Sequence, residues 1–216
     1  MTLFDPTSLG TVTRVVDRAG WSAIYVGRKR VARVPSKRAA ALNIAPGVEW
    51  TPALAAAAAL AADTVKAKKK ALSLLKVKDR TAHELRDRLV AAGHPPTGVD
   101  AALAELAREG LLNDSALARA SLERDLAKGH SPRAAAHKLA TRGIHDADMP
   151  SPPTGELERA VAAAQARAAK LPPDLPPHAR ARRLLAALAR LGYEEDTARD
   201  AAVRVLGFAA FDQEPL

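Results

Sequence analysis

The side chains in this sequence whose type and spacing suit a chemical task are mostly cationic, and the task is binding a polyanion. A dense group lies on and just after one predicted helix: Lys66, Lys68, Lys69, Lys70, Lys76, Lys78 and Arg80. Lys66, Lys69 and Lys70 share a helix face at this spacing, and like charges so placed destabilise a helix slightly. A surface that tolerates this repulsion often meets an anion, although a solvated face gives the same pattern. We predict that this group, the lysine cluster, binds nucleic acid or an acidic protein surface.

A second cationic group is shorter and lies in a predicted β segment: Arg28, Lys29, Arg30 and Arg33. Trp21 and Tyr25 are its neighbours in sequence. Positive charge together with aromatic stacking would suit single-stranded nucleic acid. The alternative is that the two rings fill a small β core, and for the aromatic residues we favour this second interpretation.

No arrangement of catalytic residues accompanies these cations. The chain has no cysteine, which excludes disulfides, thiolate metal sites and a cysteine nucleophile. Its six histidines form no HExxH string, and no P-loop, dinucleotide-binding or GxSxG string occurs. His145-Asp146-Ala147-Asp148 offers metal-ligand types, but acidic residues near a helix start explain it more simply. We predict a protein that is not an enzyme and needs no metal or cofactor.

The overall charge also favours a polyanionic partner. The net charge is +9 and the sequence pI is about 10.2, yet residues 151–216 carry as many acidic as basic side chains. The cationic excess therefore lies in the first two thirds of the chain. The most apolar run, 53–62, is shorter than the roughly 20 residues that a membrane span needs. With no secretory pattern at the N-terminus, we expect a cytoplasmic protein that does not bind membranes.

The first part of the chain predicts a small antiparallel sheet. Residues 11–16, 21–26 and 30–34 read as strands, with a turn at Ala19-Gly20. A sheet this small needs a packing partner. Thr51-Pro52 is a good helix opening, so the helix that follows is the expected partner.

From about residue 64 the pattern is helical and repeats with a period near 50 residues. Each repeat contains a short helix with a leucine and a terminal glycine, and in the first two repeats a hydroxyl residue caps the helix. The cap, leucine and glycine are Thr81, Leu89 and Gly93 in the first repeat and Ser131, Leu139 and Gly143 in the second. The third repeat has Leu188 and Gly192, but Arg180 stands at the cap position. A longer helix precedes each, at about 64–78, 114–128 and 156–170, and an apolar stripe follows the first (Val99, Ala102, Leu103, Leu106) and the third (Ala198, Ala201, Ala202, Val205). A fixed period of this size indicates a stacked helical array.

The predicted fold is therefore mainly α: three tandem three-helix repeats, elongated and curved, after a small N-terminal β-meander. In the middle repeat, prolines directly after Met149 interrupt the third helix. The predicted segments are a β/α segment (1–63), repeat 1 (64–112), repeat 2 (113–150), a linker (151–154), repeat 3 (155–208) and a tail (209–216).

Several strings in this order resemble the RecX family, regulators of the bacterial recombinase RecA. They are Glu84-Leu85 followed by Leu89 and Gly93, Gly110-Leu-Leu-Asn-Asp114-Ser-Ala-Leu-Ala118, Arg142-Gly-Ile144 and Leu191-Gly-Tyr193. The resemblance covers residues 11–207. It implies a non-enzymatic protein of three tandem three-helix repeats that binds RecA and its filament on single-stranded DNA. We also expect a monomer. It also implies restraint of the strand exchange, ATPase and coprotease activities of RecA in recombination, DNA repair and the SOS response.

Sequence-specific DNA binding is the alternative function, because helix-turn-helix domains are also small three-helix units. A groove reader needs side chains such as Asn, Gln or Arg at the start of one exposed helix. The two candidate helices start with Ala82-His83-Glu84 and Pro132-Arg133-Ala134, which are poor base readers. We therefore favour the RecA regulator, with weak auxiliary binding to single- and double-stranded DNA.

Overall fold

The computed structural model describes residues 9–145, 150 and 154–211. The chain divides into two compact units, residues 1–112 and 113–216. The described elements of the first unit are β1 (Val12–Arg18), β2 (Trp21–Val26), β3 (Lys29–Pro35), α1 (Ser36–Ala41), α2 (Pro52–Leu75), α3 (Ala82–Ala91) and α4 (Pro96–Arg108). Those of the second are α5 (Asp114–Ala127), α6 (Pro132–Ala140), α7 (Glu156–Ala168), α8 (Pro177–Arg190) and α9 (Glu195–Leu206).

The three strands form one antiparallel sheet in the order β1-β2-β3, and within the described residues every strand precedes residue 36, as predicted. Ala19 and Gly20 have φ of 51° and 78°, so both residues of the first turn adopt the left-handed backbone that two-residue hairpins need. One face of the sheet buries Val12, Ile24 and Val34 against α1 and the start of α2. The predicted packing partner of the sheet is therefore confirmed.

Helix α2 is longer than the sequence indicates. Thr51 caps it by accepting a hydrogen bond from the Leu54 N–H at 3.2 Å, and Pro52 occupies its first position. We expected a new segment to begin near residue 64, but the helix continues through that point to Leu75. Thr64 is buried there, and its hydroxyl donates to the Leu60 carbonyl at 2.7 Å. This bond to the carbonyl four residues earlier satisfies the buried hydroxyl, and α2 continues through Thr64 without a break.

The second half of α2 packs with α3 and α4 around one apolar core. The predicted capping box is present: the Thr81 hydroxyl accepts from the Glu84 N–H and the Glu84 carboxylate accepts from the Thr81 N–H, both at 3.1 Å. A Cβ placed on Gly98 of α4 would lie 2.8 Å from the Cβ of Asp63, so α4 approaches α2 closely there. The core side chains are Ala67, Ala71, Leu85, Leu89, Val99, Ala102, Leu103, Leu106 and Leu112.

The second unit contains the later repeats. Helices α5 and α6 share a small core, and α7, α8 and α9 surround a larger one that is rich in alanine. Ser131 caps α6 as predicted, accepting from the Ala134 N–H at 3.1 Å. Helix α8 begins at Pro177, three residues before the expected cap position, so Arg180 lies inside the helix; no side chain caps α8.

The predicted glycine endings of the three short helices share one geometry. Gly93, Gly143 and Gly192 have φ of 84°, 79° and 88°. In each, the glycine N–H bonds to the carbonyl three residues earlier, and the next N–H bonds to the carbonyl of the core leucine: Leu89, Leu139 and Leu188. This pair of bonds is a Schellman ending, and its threefold occurrence confirms the glycine ending read from the sequence.

The interrupted third helix of repeat 2 and the His145–Asp148 string fall mostly outside the described residues. Helix α6 ends at Ala140 and α7 begins at Glu156. Between them the chain is described continuously only as far as His145. Elsewhere in the described chain no three His, Asp or Glu side chains are placed to hold a metal ion. Nor does any helix of that described part have the length and apolar character that crossing a bilayer requires.

Candidate nucleic-acid interface

The lysine cluster is mostly exposed, but it is not confined to one helix. Lys66, Lys69 and Lys70 project into solvent from α2, and Lys76 and Lys78 are exposed just after its end. Lys66 lies 3.3 Å from Asp63 in an exposed pair. Arg80 is partly buried next to the capped start of α3. The structure therefore brings four predicted residues together along α2 and at its end, and places Lys78 and Arg80 in the connection to α3.

Lys68 lies on a different face from its neighbours. Its ammonium group donates to the carboxylates of Glu105, at 3.3 Å, and Glu109 on α4, and Glu105 also pairs with Arg38 of α1. Residues two apart on an α-helix are separated by about 200°, so helical geometry already separates Lys68 from Lys66. Lys68 thus joins α2 to α4 within the first unit, instead of contributing to the exposed cluster.

This ion-pair group shifts the pKa of two of its members in opposite directions. The hydrogen bond to Glu109 raises the pKa of Lys68 above its ordinary value, against an opposing effect of burial. Burial acts to raise the pKa of Glu105, but the hydrogen bond from Lys68 and the charge of Arg38 outweigh it and leave that pKa lowered. Both shifts favour the charged forms, as expected for opposite charges in contact.

The short cationic group lies on the N-terminal sheet. Arg28, Lys29, Arg30 and Arg33 are all exposed, in the turn after β2 and along β3. Side chains alternate between the two faces of a strand. Of this group, Arg30 and Arg33 line an open depression on the face that points away from the core.

Trp21 and Tyr25 do not fill the β core, so the interpretation we favoured for them is wrong. Both lie on the outer face with Arg30 and Arg33, because Ser22 and Ile24 of the same strand point inward. The aromatic residue of the core is Trp50, which is only 2% exposed. The chain preceding β1 reaches it: the Leu9 N–H donates to the Trp50 carbonyl at 2.9 Å.

The outer face also carries two arginines that the sequence reading missed, Arg14 and Arg18 of β1. The guanidinium carbon of Arg14 lies 4.3 Å from the centre of the Tyr25 ring, and that of Arg33 lies 5.2 Å from the centre of Trp21. These are cation–π distances. Arg14 and Arg18 are four residues apart, and this spacing puts both on one face of a strand. The sequence therefore could have indicated a cationic face on β1.

Three comparisons with known proteins bear on this arrangement. Residues 67–106, which run from the second half of α2 into α4, match the family model described as the first three-helix domain of RecX. A curated relative, "Regulatory protein RecX" of Halorhodospira halophila (strain DSM 244 / SL1), is 36% identical over 76 residues. That match covers 35% of this chain and 47% of the relative, so it spans about half of the relative's length.

Two solved structures share the fold. A crystal structure of regulatory protein RecX superposes with a TM-score of 0.63 over 88% of this chain and 97% of that one, at 21% identity. The RecX structure from Lactobacillus salivarius superposes with a TM-score of 0.51 over 67% of this chain and 96% of that one, at 18% identity. The mainly helical architecture with its small N-terminal sheet is therefore that of solved RecX proteins.

Proposed function

We propose that this chain is a RecX-family protein that regulates RecA without being an enzyme, because its residues 67–106 match the first three-helix domain of that family. In this proposal the protein binds RecA and the RecA filament on single-stranded DNA. Binding lowers the recombinase, ATPase and coprotease activities of RecA. DNA binding is auxiliary, weak and independent of sequence, and the protein acts as a cytoplasmic monomer.

The observation that carries the proposal is the exposed part of the lysine cluster on α2. It lies in and beside the three-helix unit that matches the RecX family model, residues 67–106. Lys66, Lys69 and Lys70 belong to a helix that is fixed by packing on α4 and by the Lys68 ion pairs, and Lys76 is the residue directly after its end. Because the backbone that carries these charges is already fixed, binding a polyanion has to order only the lysine side chains, which favours binding. The target in this proposal is the DNA of the filament or an acidic surface of RecA.

Sequence-specific duplex binding finds less support at the starts of the two candidate helices. The Glu84 carboxylate is used in the capping box of α3, and His83 lies 3.4 Å from Asp87. At the start of α6, Arg133 donates to Glu194 at 2.6 Å. Side chains engaged in this way would have to break their own contacts before reading base edges.

The test measures ATP hydrolysis and strand exchange by RecA on single-stranded DNA, with increasing amounts of the purified protein. We expect both activities to fall and the protein alone to hydrolyse no ATP. A variant with Lys69, Lys70 and Lys76 changed to Glu should inhibit less. A second variant, with Arg182, Arg183 and Arg199 changed to Glu, makes the same change in net charge in the second unit and should inhibit nearly as well as the unaltered protein.

Three results would decide against the proposal. If the unaltered protein at saturating concentration leaves RecA unaffected, the regulatory function is wrong. If the two triple variants lose inhibition equally, net charge and not the α2 surface carries the effect. Selection of one duplex sequence from a random library would favour the helix-turn-helix alternative.

A further inference from the structure

We propose that the outer face of the N-terminal sheet is a separate binding site for the unpaired bases of single-stranded DNA. The site consists of Trp21 and Tyr25 with the four arginines Arg14, Arg18, Arg30 and Arg33. It refines the DNA-binding part of the proposed function and rests on it, but it needs no RecA.

The core of the sheet is complete without the two aromatic rings, which lie on the outer face. The inner face of the sheet is filled by Val12, Ile24, Val34 and Trp50, each at most 2% exposed. Trp21 and Tyr25 remain partly exposed on the opposite face. Partly exposed rings on a regular sheet provide flat surfaces on which bases stack with little regard to sequence.

The arginines next to the rings are held in position before any ligand arrives. Arg14 is the cross-strand partner of Tyr25 and its guanidinium lies over that ring, and Arg33 lies over Trp21. A guanidinium resting on a ring has already lost much of its side-chain freedom and still presents N–H donors at its edge. It therefore offers phosphate oxygens preformed donors, and its own planar group extends the stacking surface.

The charge of this face is of one sign. The open depression of about 450 Å³ on this face is lined by both rings and by Arg18, Arg30 and Arg33, and none of its lining residues is acidic. Asp17, on the neighbouring inward position of β1, accepts hydrogen bonds from the hydroxyls of Ser22 and Ser36. Within the described residues no carboxylate lies within ion-pair distance of the four arginines. Their charges are therefore available to an anionic ligand.

Single-stranded DNA fits this combination better than a duplex or a protein. Stacking on an open sheet requires bases that are not already stacked and paired, and the arginines match a phosphate chain that runs beside them. An acidic protein surface would match the charges but would leave the rings without a use. The ligand is DNA and not RNA because the proposed function acts on the RecA filament on single-stranded DNA.

The first experiment uses Trp21 as its own reporter. The chain has two tryptophans, and Trp50 is buried. In a Trp50→Phe variant all tryptophan emission comes from Trp21. We expect a saturable quenching with oligo-dT, much weaker quenching with a duplex of equal length, and no tighter binding of oligo-rU. If this variant does not fold, the emission of the unaltered protein minus that of the Trp21→Phe variant gives the emission of Trp21.

The second experiment separates stacking from charge. Tyr25→Leu keeps an apolar side chain but removes one ring, and should weaken oligo-dT binding roughly 5- to 100-fold while leaving its salt dependence nearly unchanged. Arg14→Glu with Arg33→Glu should weaken binding and also reduce the salt dependence. The matched control is Arg182→Glu with Arg183→Glu, which changes net charge equally on α8. Circular dichroism and thermal unfolding confirm that each variant is folded.

Several outcomes would overturn the site. Trp21 emission that does not respond to oligo-dT, equal affinity for duplex, tighter binding of oligo-rU, or equal losses in the two double-arginine variants would each do so. An unchanged affinity in Tyr25→Leu would show that the rings only cover the sheet. Because RecA is absent from these measurements, failure here leaves the RecA proposal standing, and failure of RecA inhibition leaves the oligo-dT result intact.

Discussion

The hydroxyl group of Ser131 donates a hydrogen bond of 2.7 Å to the backbone carbonyl of Gly192. The same oxygen accepts from the Ala134 N–H at 3.1 Å, and the Ser131 N–H donates to the Leu191 carbonyl at 2.8 Å. The start of α6 and the end of α8 therefore satisfy each other's backbone groups. Because Ser131 is fully buried, water has no access to replace these bonds.

Replacing Ser131 by alanine should lower the free energy of unfolding by roughly 1–3 kcal/mol, because the cap is lost and the Gly192 carbonyl loses its donor. The control is Asn113→Ala at the start of α5, where an exposed side chain accepts from the Ala116 N–H at 2.9 Å and only caps. Its loss should be about 0.5–1 kcal/mol. Urea unfolding followed by far-ultraviolet circular dichroism measures both, and equal losses would contradict the linking role of Ser131.

The glycines that end α3 and α8 should respond differently to alanine. Both have positive φ, but a Cβ on Gly93 would meet nothing within 4 Å, whereas one on Gly192 would lie 2.4 Å from the Cβ of Ala134. Gly93→Ala should cost about 1–2 kcal/mol for the backbone alone. Gly192→Ala should cost a further 1–3 kcal/mol, approximately, because α6 and α8 must move apart. Thermal and urea unfolding compare the two, and a smaller loss at Gly192 would be incompatible with this packing.

The ion pairs of Glu105 predict a dependence of stability on acid pH. The pKa of Glu105 is lowered from 4.5 in the folded protein, so its contribution to stability is complete above that value and is lost as the pH falls through the folded pKa. Glu105→Gln should therefore be less stable at pH about 7, by roughly 1–3 kcal/mol, and should approach the unaltered protein in strong acid. Urea unfolding across this pH range measures the difference.

Glu109→Gln is the control for this acid effect, since Glu109 also pairs with Lys68 but its side chain is 48% exposed. Solvent screening makes its contribution small at every pH. A constant difference between Glu105→Gln and the unaltered protein from neutral to strongly acid pH would show that the carboxylate contributes by packing and not by charge.

The exposed lysines on α2 and directly after its end should determine part of the salt dependence of DNA binding. Changing Lys69, Lys70 and Lys76 to Glu should weaken DNA binding and reduce the slope of log affinity against log salt by about 2–3. Lys68→Gln is the matched control, because its partners are Glu105 and Glu109. It should destabilise the fold and leave the slope nearly unchanged. Fluorescence anisotropy at several salt concentrations would show the reverse ranking if Lys68 were the DNA contact.

The parts of the fold that depend on a few adjacent residues could be predicted from the sequence. The caps at Thr51, Thr81 and Ser131 each need one hydroxyl and the N–H three residues later. The glycine endings need only a residue that tolerates positive φ after a run of helix formers. These features are local, so the helical repeat can be recognised from the sequence without knowledge of tertiary contacts.

The structure departs from the sequence-based expectations where distant residues decide the outcome. The sequence groups Lys68 with its neighbours because its partners, Glu105 and Glu109, lie 37 and 41 residues away. The strand that contains Trp21 and Tyr25 has apolar residues on both faces, so alternation did not tell which face is inside. The core position that we expect these rings to fill is occupied by Trp50, which lies between α1 and α2 in the sequence.

The continuous helix α2 has a mechanical consequence. Its first half packs through Ala58 on the sheet and its second half packs through Ala67 and Ala71 on α3 and α4. Twenty-four helical residues make a rod of about 36 Å with no loop along its length. A load applied to the sheet, such as tension in a DNA strand bound at the proposed site, would therefore be transmitted along this rod to the first three-helix unit instead of being absorbed by a hinge.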